Sequence, residues 1–240
     1  VLINQFNQCI PPMNCLLAGL PKVEYQRLLM RCETIDLVLN DVLCNAGDQI
    51  HYVYFPAKSI ISLMKHIDAD KNIEVSLIGN EGMLGSTLML GVDIAPFRAV
   101  VQKSGTTFRM PAKTFTHELE QSFMLEHQIK RYLYVSLSQL VQNAACNRFH
   151  LVEERLARLL LMFRDRVQSQ RFHVTQESLA QMLGVRRVGV TMAAGSLQHK
   201  RLISYSRGDL KIHDNTGLEA ASCSCYHKDN ETYTRVFDAK

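Results

Sequence analysis

The spacing of apolar positions changes several times along this chain, and each change marks a different kind of element. Residues 1–20 are weakly patterned and read as irregular or as a short helix. Pro21–Thr34 reads as a short amphipathic helix with Val23, Leu28, Leu29 and Cys32 on its apolar side. From about Ile35 to Pro111 apolar residues alternate or cluster in short runs. Turn residues interrupt them at Asn45–Asp48, Pro56, Asp68–Asn72, Gly79–Gly82, Gly91–Asp93 and Ser104–Gly105. Many short strands with regular turn signals predict an antiparallel barrel or sandwich. His117 to about Arg148 then holds a helical period without Pro or Gly, long enough for about 45–50 Å of helix. Leu133, Leu137, Leu140 and Ala144 step by four, three and four, a seam suited to a partner helix. Ile129, Tyr132 and Ser136 mark a neighbouring face. So long a helix cannot bury two faces on a small barrel. The expected arrangement lays one face on the barrel and the seam against the same helix of a second subunit. A long surface helix of a monomer is the alternative.

Arg148–His150 reads as a hinge, and Leu151–Arg166 as a further helix with Leu156, Leu159, Leu160 and Phe163 on one face. Thr175 is a suitable N-cap, and Leu179, Met182 and Leu183 follow at helical spacing. Ala180 is small enough for a second helix to cross closely, Gly184 suits the turn, and Val190 is the expected buried residue of the second helix. This is the steric pattern of a helix-turn-helix over about 175–199. Arg186 and Arg187 open its second helix, where the DNA-binding version enters the major groove. An ordinary helical hairpin is the competing reading. Residues 202–212 read as two short strands around Arg207-Gly208-Asp209, which would make the motif a winged helix. The tail from Gly217 begins as a helix with Leu218, Ala221 and Tyr226.

Charge strengthens the nucleic-acid reading. Residues 1–149 hold 13 basic and 13 acidic side chains, residues 150–214 hold 11 and 6, and the tail holds 3 and 4. The positive excess therefore falls on the helix-turn-helix segment, where a phosphate backbone would be met. Apolar runs are too short to span a bilayer. No secretory signal is expected, and seven irregularly spaced cysteines suggest reduced thiols in a cytoplasmic protein. No P-loop, dinucleotide fingerprint, metal-binding His pair or catalytic triad pattern is visible.

Barrel, long helix, hinge and winged helix, in that order, resemble the Crp–Fnr family of bacterial transcription regulators. The similarity covers roughly residues 20–214. Its most specific parts are EERLARLLL (153–161), TQESLAQMLGVRRVGV (175–190) and the stretch from Gly79 to Val101. The resemblance implies an α+β chain in three parts. Residues 1–149 would form an antiparallel β-roll (cyclic-nucleotide-binding-like, jelly-roll) with a dimerisation helix at about 117–148. Residues 150–214 would form a winged helix-turn-helix, and 215–240 a C-terminal tail. It also implies a cytoplasmic homodimer on a palindromic operator, half-sites about 34 Å apart, with RNA polymerase as a further partner and no enzymatic activity. The implied DNA-facing residues are Thr175, Gln176, Arg186, Arg187, Val188, Thr191 and Met192, with Arg207 and Lys211 on the wing. Arg187 matches the arginine that reads guanine in cyclic-AMP-responsive members, and Arg186 falls at a backbone contact. Val188 and Met192 stand where those members carry a base-reading Glu and a second Arg, so the operator should differ from theirs.

The implied effector pocket comprises Gly85, Ser86, Thr87, Arg98 and Ala99. Cyclic-nucleotide binders use a Glu where this chain has Ser86. Their phosphate-binding Arg comes one residue earlier than Arg98, which in a strand turns the side chain to the other face. Both departures weigh against a cyclic nucleotide. An iron–sulfur cluster is not expected either, because Cys9, Cys15, Cys32 and Cys44 are spaced by 6, 17 and 12 residues. Cys223 and Cys225 read as inert thiols, a thiol sensor or half a metal site, and no complete metal site is assigned. Cys146 would meet its symmetry mate if the dimer formed there. Two other readings stay open: a small-molecule or redox sensor acting through a protein partner, and an enzyme with a cupin-like barrel. The latter needs more metal ligands than His51 and His66.

Overall fold

The computed structural model describes residues 14–68 and 71–238. Most of the weakly patterned N-terminal stretch, including Cys9, lies outside them. By its contacts the chain forms two compact units, Val1–Leu63 with Leu77–Leu137, and Met64–Ser76 with Ser138–Lys240. The division falls within a helix and within two strands of one sheet, whose stretch 64–76 counts with the second unit.

The first unit begins with α1 (Cys15–Ala18) and α2 (Lys22–Arg31). Asn14 caps α1, accepting from the Leu17 amide at 3.1 Å, and its side-chain amide donates to the carbonyls of Pro56 and Gly82. In α2 only Leu28 of the expected apolar side is fully buried; Val23 faces solvent. A ten-residue helix covers its core with one stripe, and Val23 falls off it.

The strands follow in order: β1 (Glu33–Leu37), β2 (Val42–Cys44), β3 (Tyr52–Pro56), β4 (Ile60–Asp68), β5 (Lys71–Ile78), β6 (Arg98–Lys103) and β7 (Gly105–Pro111). They build a three-stranded sheet, β1-β7-β3, and a four-stranded sheet, β2-β6-β4-β5. Leu37 and Tyr54 from the first sheet meet Ile61, Ile78, Ala99 and Val101 from the second in one buried cluster. Two antiparallel sheets closed over a shared apolar interior are the expected β-roll. Pro56 ends β3, an edge strand, where a missing donor costs least.

The long helical pattern is two helices: α3 (Ala112–Gln121) and α4 (Phe123–Phe149). The break is at Ser122, which is extended at φ −130°. Its hydroxyl accepts from the Leu125 amide at 3.1 Å, so it caps α4 and interrupts the period. At 27 residues, α4 is the longest helix described, about 40 Å. Leu125, Ile129, Tyr132 and Val135 form its buried face, and the Tyr132 hydroxyl donates to the Met83 carbonyl at 3.3 Å. Of the expected seam, Leu137 and Ala144 are exposed, whereas Leu133 and Leu140 are half-buried. Tyr134 and Val141 extend the exposed apolar stripe.

The second unit continues with α5 (Val152–Val167), β8 (Arg171–His173), α6 (Gln176–Leu183), α7 (Arg187–His199), β9 (Ile203–Ser206), β10 (Asp209–Ile212), α8 (Asn215–Ala221) and α9 (Cys225–Asp238). Leu156, Leu159, Leu160 and Phe163 of α5 are buried as expected, and Phe163 stacks on Phe172 at 5.6 Å. The strands form a sheet in the order β8-β10-β9, so the wing hairpin has a third strand. The C-terminal segment is packed as two helices. Arg164 reaches Asn215, Glu219 and the Tyr226 hydroxyl, and Tyr226 donates to Asp165 at 2.7 Å.

Candidate nucleic-acid interface

The helix-turn-helix forms as its local sterics require. Thr175 caps α6, its hydroxyl accepting from the Ser178 amide at 3.1 Å. Gly184 ends the helix at φ +62°, a left-handed conformation that side chains resist. Ala180 and Val190 are buried where the two helices cross. Val190, Ala193, Ala194 and Leu197 complete the inner face of α7.

The outer face of α7 carries the remaining residues. Arg186, Arg187, Val188, Thr191 and Met192 are all exposed. Arg186 is the N-cap and Arg187 the first helical residue. Gln176 is half-buried and accepts from the Thr191 hydroxyl at 2.9 Å, tying the first turn of α6 to that of α7. A groove beside this turn is lined by Thr175, Gln176, Arg187, Tyr205, Arg207 and Gly208. Burial pushes the Tyr205 hydroxyl up to about 12, Arg187 opposing it, so Tyr205 stays a donor and bonds the Val174 carbonyl at 2.7 Å.

The wing turn has positive φ at both central residues, Arg207 (+51°) and Gly208 (+91°), the geometry of a tight hairpin. A Cβ on Gly208 would lie 2.4 Å from the His173 ring, which itself meets Asp209 at 2.9 Å. Arg207 is exposed and Lys211 half-buried, its backbone paired with Ser204 and Arg171.

The positive excess of this segment is not all on its surface. Arg155, Arg158 and Arg166 are buried. Arg158 pairs with Asp229 at 2.5 Å, and Arg164 with Asp165 and Glu219. Burial drives the Asp229 carboxyl above its ordinary range while Arg158 pulls it back. Arg155 bonds Asn147 at 2.7 Å and the Leu183 carbonyl at the end of α6. Sequence counting missed this partition because three of the four arginines of α5 are buried and the fourth, Arg164, is half-buried. The exposed basic residues are Arg171, Arg186, Arg187, Lys200, Arg201 and Arg207.

Three of the expected effector residues, Gly85, Ser86 and Thr87, lie at a left-handed turn. Gly85 has φ +94° and precedes a short 3₁₀ turn, Ser86–Leu90. Ala99 is buried in the β-roll core, and Arg98 beside it is exposed. The strand alternation has carried that arginine outward. The Thr87 hydroxyl oxygen is buried without a hydrogen-bond partner.

One constellation goes beyond the sequence reading, which offers Cys223 and Cys225 only as inert thiols, a thiol sensor or half a metal site. Cys146, on the last turn of α4, is buried with Cys223 and Cys225 of its own chain. Its Sγ lies 3.5 Å from that of Cys223, while Cys225 Sγ lies 3.4 Å from His150 Nδ1. The hydrogen bond shared with Cys223 lowers the Cys146 thiol, Arg158 adding to the effect, while the same bond and burial raise Cys223. Sequence separations of 77 and 75 residues hide these contacts. The sequence offers two partial hints: Cys223 and Cys225, read as a thiol sensor or half a metal site, and the Cys-x₃-His spacing of 146 and 150, one helical turn.

Residues 154–221 match the family model described as the Crp-like helix-turn-helix domain. No curated protein is significantly similar in sequence. Solved structures are similar in fold. The c-di-GMP-responsive global regulator CLP of Xanthomonas campestris matches at a TM-score of 0.67 and 14% identity, over 81% of this chain and 100% of its own. FixK2 from Bradyrhizobium japonicum matches at 0.70 and 10%, over 80% and 98%. TTHB099, a CRP-family transcriptional regulator from Thermus thermophilus, matches at 0.66 and 14%, over 78% and 96%. Over about four-fifths of its length the chain shares the fold of these regulators. Among the described residues no helix is long and apolar enough to cross a membrane.

Proposed function

We propose that this protein is a homodimeric, sequence-specific transcription regulator in which a signal at the β-roll controls how two winged helices meet a palindromic operator. The observation that carries this is the partition of α7. Its inner face is fully buried, and Arg186, Arg187, Val188 and Met192 are exposed toward base edges, with Thr191 exposed beside them and bonded to Gln176. Arg187 is the residue assigned to guanine, whose O6 and N7 match a guanidinium fork. Arg186, Thr175 and Gln176 take backbone positions, and the wing's Arg207 and Lys211 contact phosphates beside the groove. Val188 and Met192 offer apolar contact, such as a thymine methyl.

Dimerisation is assigned to the exposed stripe of α4, where Leu137 is 62% and Val141 65% exposed. Tyr134 and Ala144 continue that stripe, and half-buried Leu133 and Leu140 flank it. Large apolar side chains at helical spacing on one solvent face are what a partner helix covers. In functional terms we keep residues 1–149 as the sensor and dimerisation part and 150–214 as the DNA-binding part, with the α4–α5 junction as the hinge. Signalling is then a shift between DNA-competent and incompetent dimers. Gly85, Ser86 and Thr87 are assigned to the effector pocket. Ser86 and the outward Arg98 count against a cyclic mononucleotide. The protein is read as a cytoplasmic regulator that works with RNA polymerase, not as an enzyme. The test is sedimentation of the full chain with and without a DNA duplex it selects. Two chains per duplex support the proposal, and a monomer that binds all duplexes alike overturns it.

A further inference from the structure

Four side chains with metal-ligand atoms converge at the end of α4. Cys146, His150, Cys223 and Cys225 each offer one atom, and all four atoms lie within 4.8 Å of one another. Cys146 and His150 share one helical turn, since the His150 amide still bonds the Cys146 carbonyl at 3.1 Å. Cys223 and Cys225 flank a single serine where α9 begins. From this geometry we propose a mononuclear Cys₃His metal site, with Zn²⁺ as its ion.

The argument rests on size, donor type and surroundings. Around a tetrahedral zinc with Zn–S of about 2.3 Å and Zn–N of about 2.0–2.1 Å, the edges come to about 3.8 Å between sulfurs and about 3.6 Å between sulfur and nitrogen. The observed 3.5 Å and 3.4 Å are close to those edges. The space suits one ion; an iron–sulfur cluster distributes its ligands over several irons and needs them farther apart. Three thiolates and an imidazole form a soft tetrahedral set that selects zinc over magnesium or calcium. Gln142, one turn before Cys146, donates its amide to Cys225 Sγ at 2.9 Å, the kind of supporting bond that orients a metal thiolate. Zn²⁺ with three thiolates leaves a net charge of −1. Arg155 and Arg158 line the cavity beside Cys146; Arg158 is paired with Asp229, and Arg155 is left to balance the site's charge. The ion would fasten the start of α9 to the last turn of α4. Arg155, which also holds the Leu183 carbonyl, would carry that anchor to the turn of the helix-turn-helix. The site stands on this geometry alone and does not depend on the DNA-binding reading.

The test uses the full chain purified anaerobically under reducing conditions without chelator. Elemental analysis and native mass spectrometry should find one zinc per chain. Reconstitution with Co²⁺ alone should give the intense visible bands of a tetrahedral thiolate site. Cys223→Ser with Cys225→Ser should lose both signals, while Cys32→Ser should keep them. His150→Cys preserves a four-ligand set and should retain the ion even if the serine variants fold poorly. Gln142→Ala should weaken metal affinity by about 10- to 100-fold. A folded chain that takes up neither Zn²⁺ nor Co²⁺ overturns the proposal. So does uptake that is indifferent to the serine substitutions, or a Cys146–Cys223 disulfide found in place of the ion.

Discussion

Replacing Arg187 with alanine separates base reading from simple attraction to phosphate. Arg187 is the first residue of α7 and is exposed, so truncation removes no core packing. Folding stability should change by no more than about 0.5 kcal/mol. A bidentate arginine–guanine pair discriminates by about 1–3 kcal/mol. A two-fold symmetric dimer makes that contact twice, so the loss on the full operator is about 2–6 kcal/mol. At tenfold per 1.4 kcal/mol, the affinity falls by about 30-fold at least and about 10⁴-fold at most. The assay is fluorescence anisotropy against the operator and a panel in which each base pair is changed in turn. The variant should become indifferent to one base pair per half-site and keep the remaining preferences. An equal loss on every duplex, nonspecific ones included, would make Arg187 a phosphate contact and refute base reading. No loss at all would remove α7 from the groove.

Three other outcomes follow from the same geometry. Arg207→Ala should lower the slope of log affinity against log salt by about 1 per contact without changing sequence preference; an altered preference would place the wing on bases. Leu137→Glu with Val141→Glu puts charge on the exposed stripe of α4 and should turn the dimer into monomers in sedimentation, since neither residue is packed within the chain. An unchanged sedimentation coefficient would move the dimer contact elsewhere. Gly208→Ala forces a side chain into φ +91° and against His173, at a cost of about 1–2 kcal/mol. A urea titration of the variant with no loss of stability would contradict the tight wing turn.

Local requirements made parts of this chain legible. A small residue at 180, a glycine at 184 and a β-branched residue at 190 define the helix crossing within eleven positions, and the structure fills each role as read. The strands were legible because turn residues punctuate them, and the two-sheet roll follows from their antiparallel pairing. Ser122 was missed because a serine breaks a helix only when its hydroxyl captures a backbone amide, and composition does not reveal that. The direction of the arginines in α5 was hidden for a related reason. Their inward turn depends on carboxylates such as Asp229, which is 71 residues from Arg158. The Cys–His cluster needed the packing of α9 against α4 before its four ligands could be counted together. The strand β8 was too short, at three residues, to announce itself.

The measurement closest to the centre of this reading is selection of duplexes from a random pool by the intact protein, followed by the stoichiometry of the selected complex. A palindrome with half-sites about 34 Å apart, bound by two chains, is the expected result. A pool that shows no enrichment, or a single chain on an asymmetric site, would contradict it.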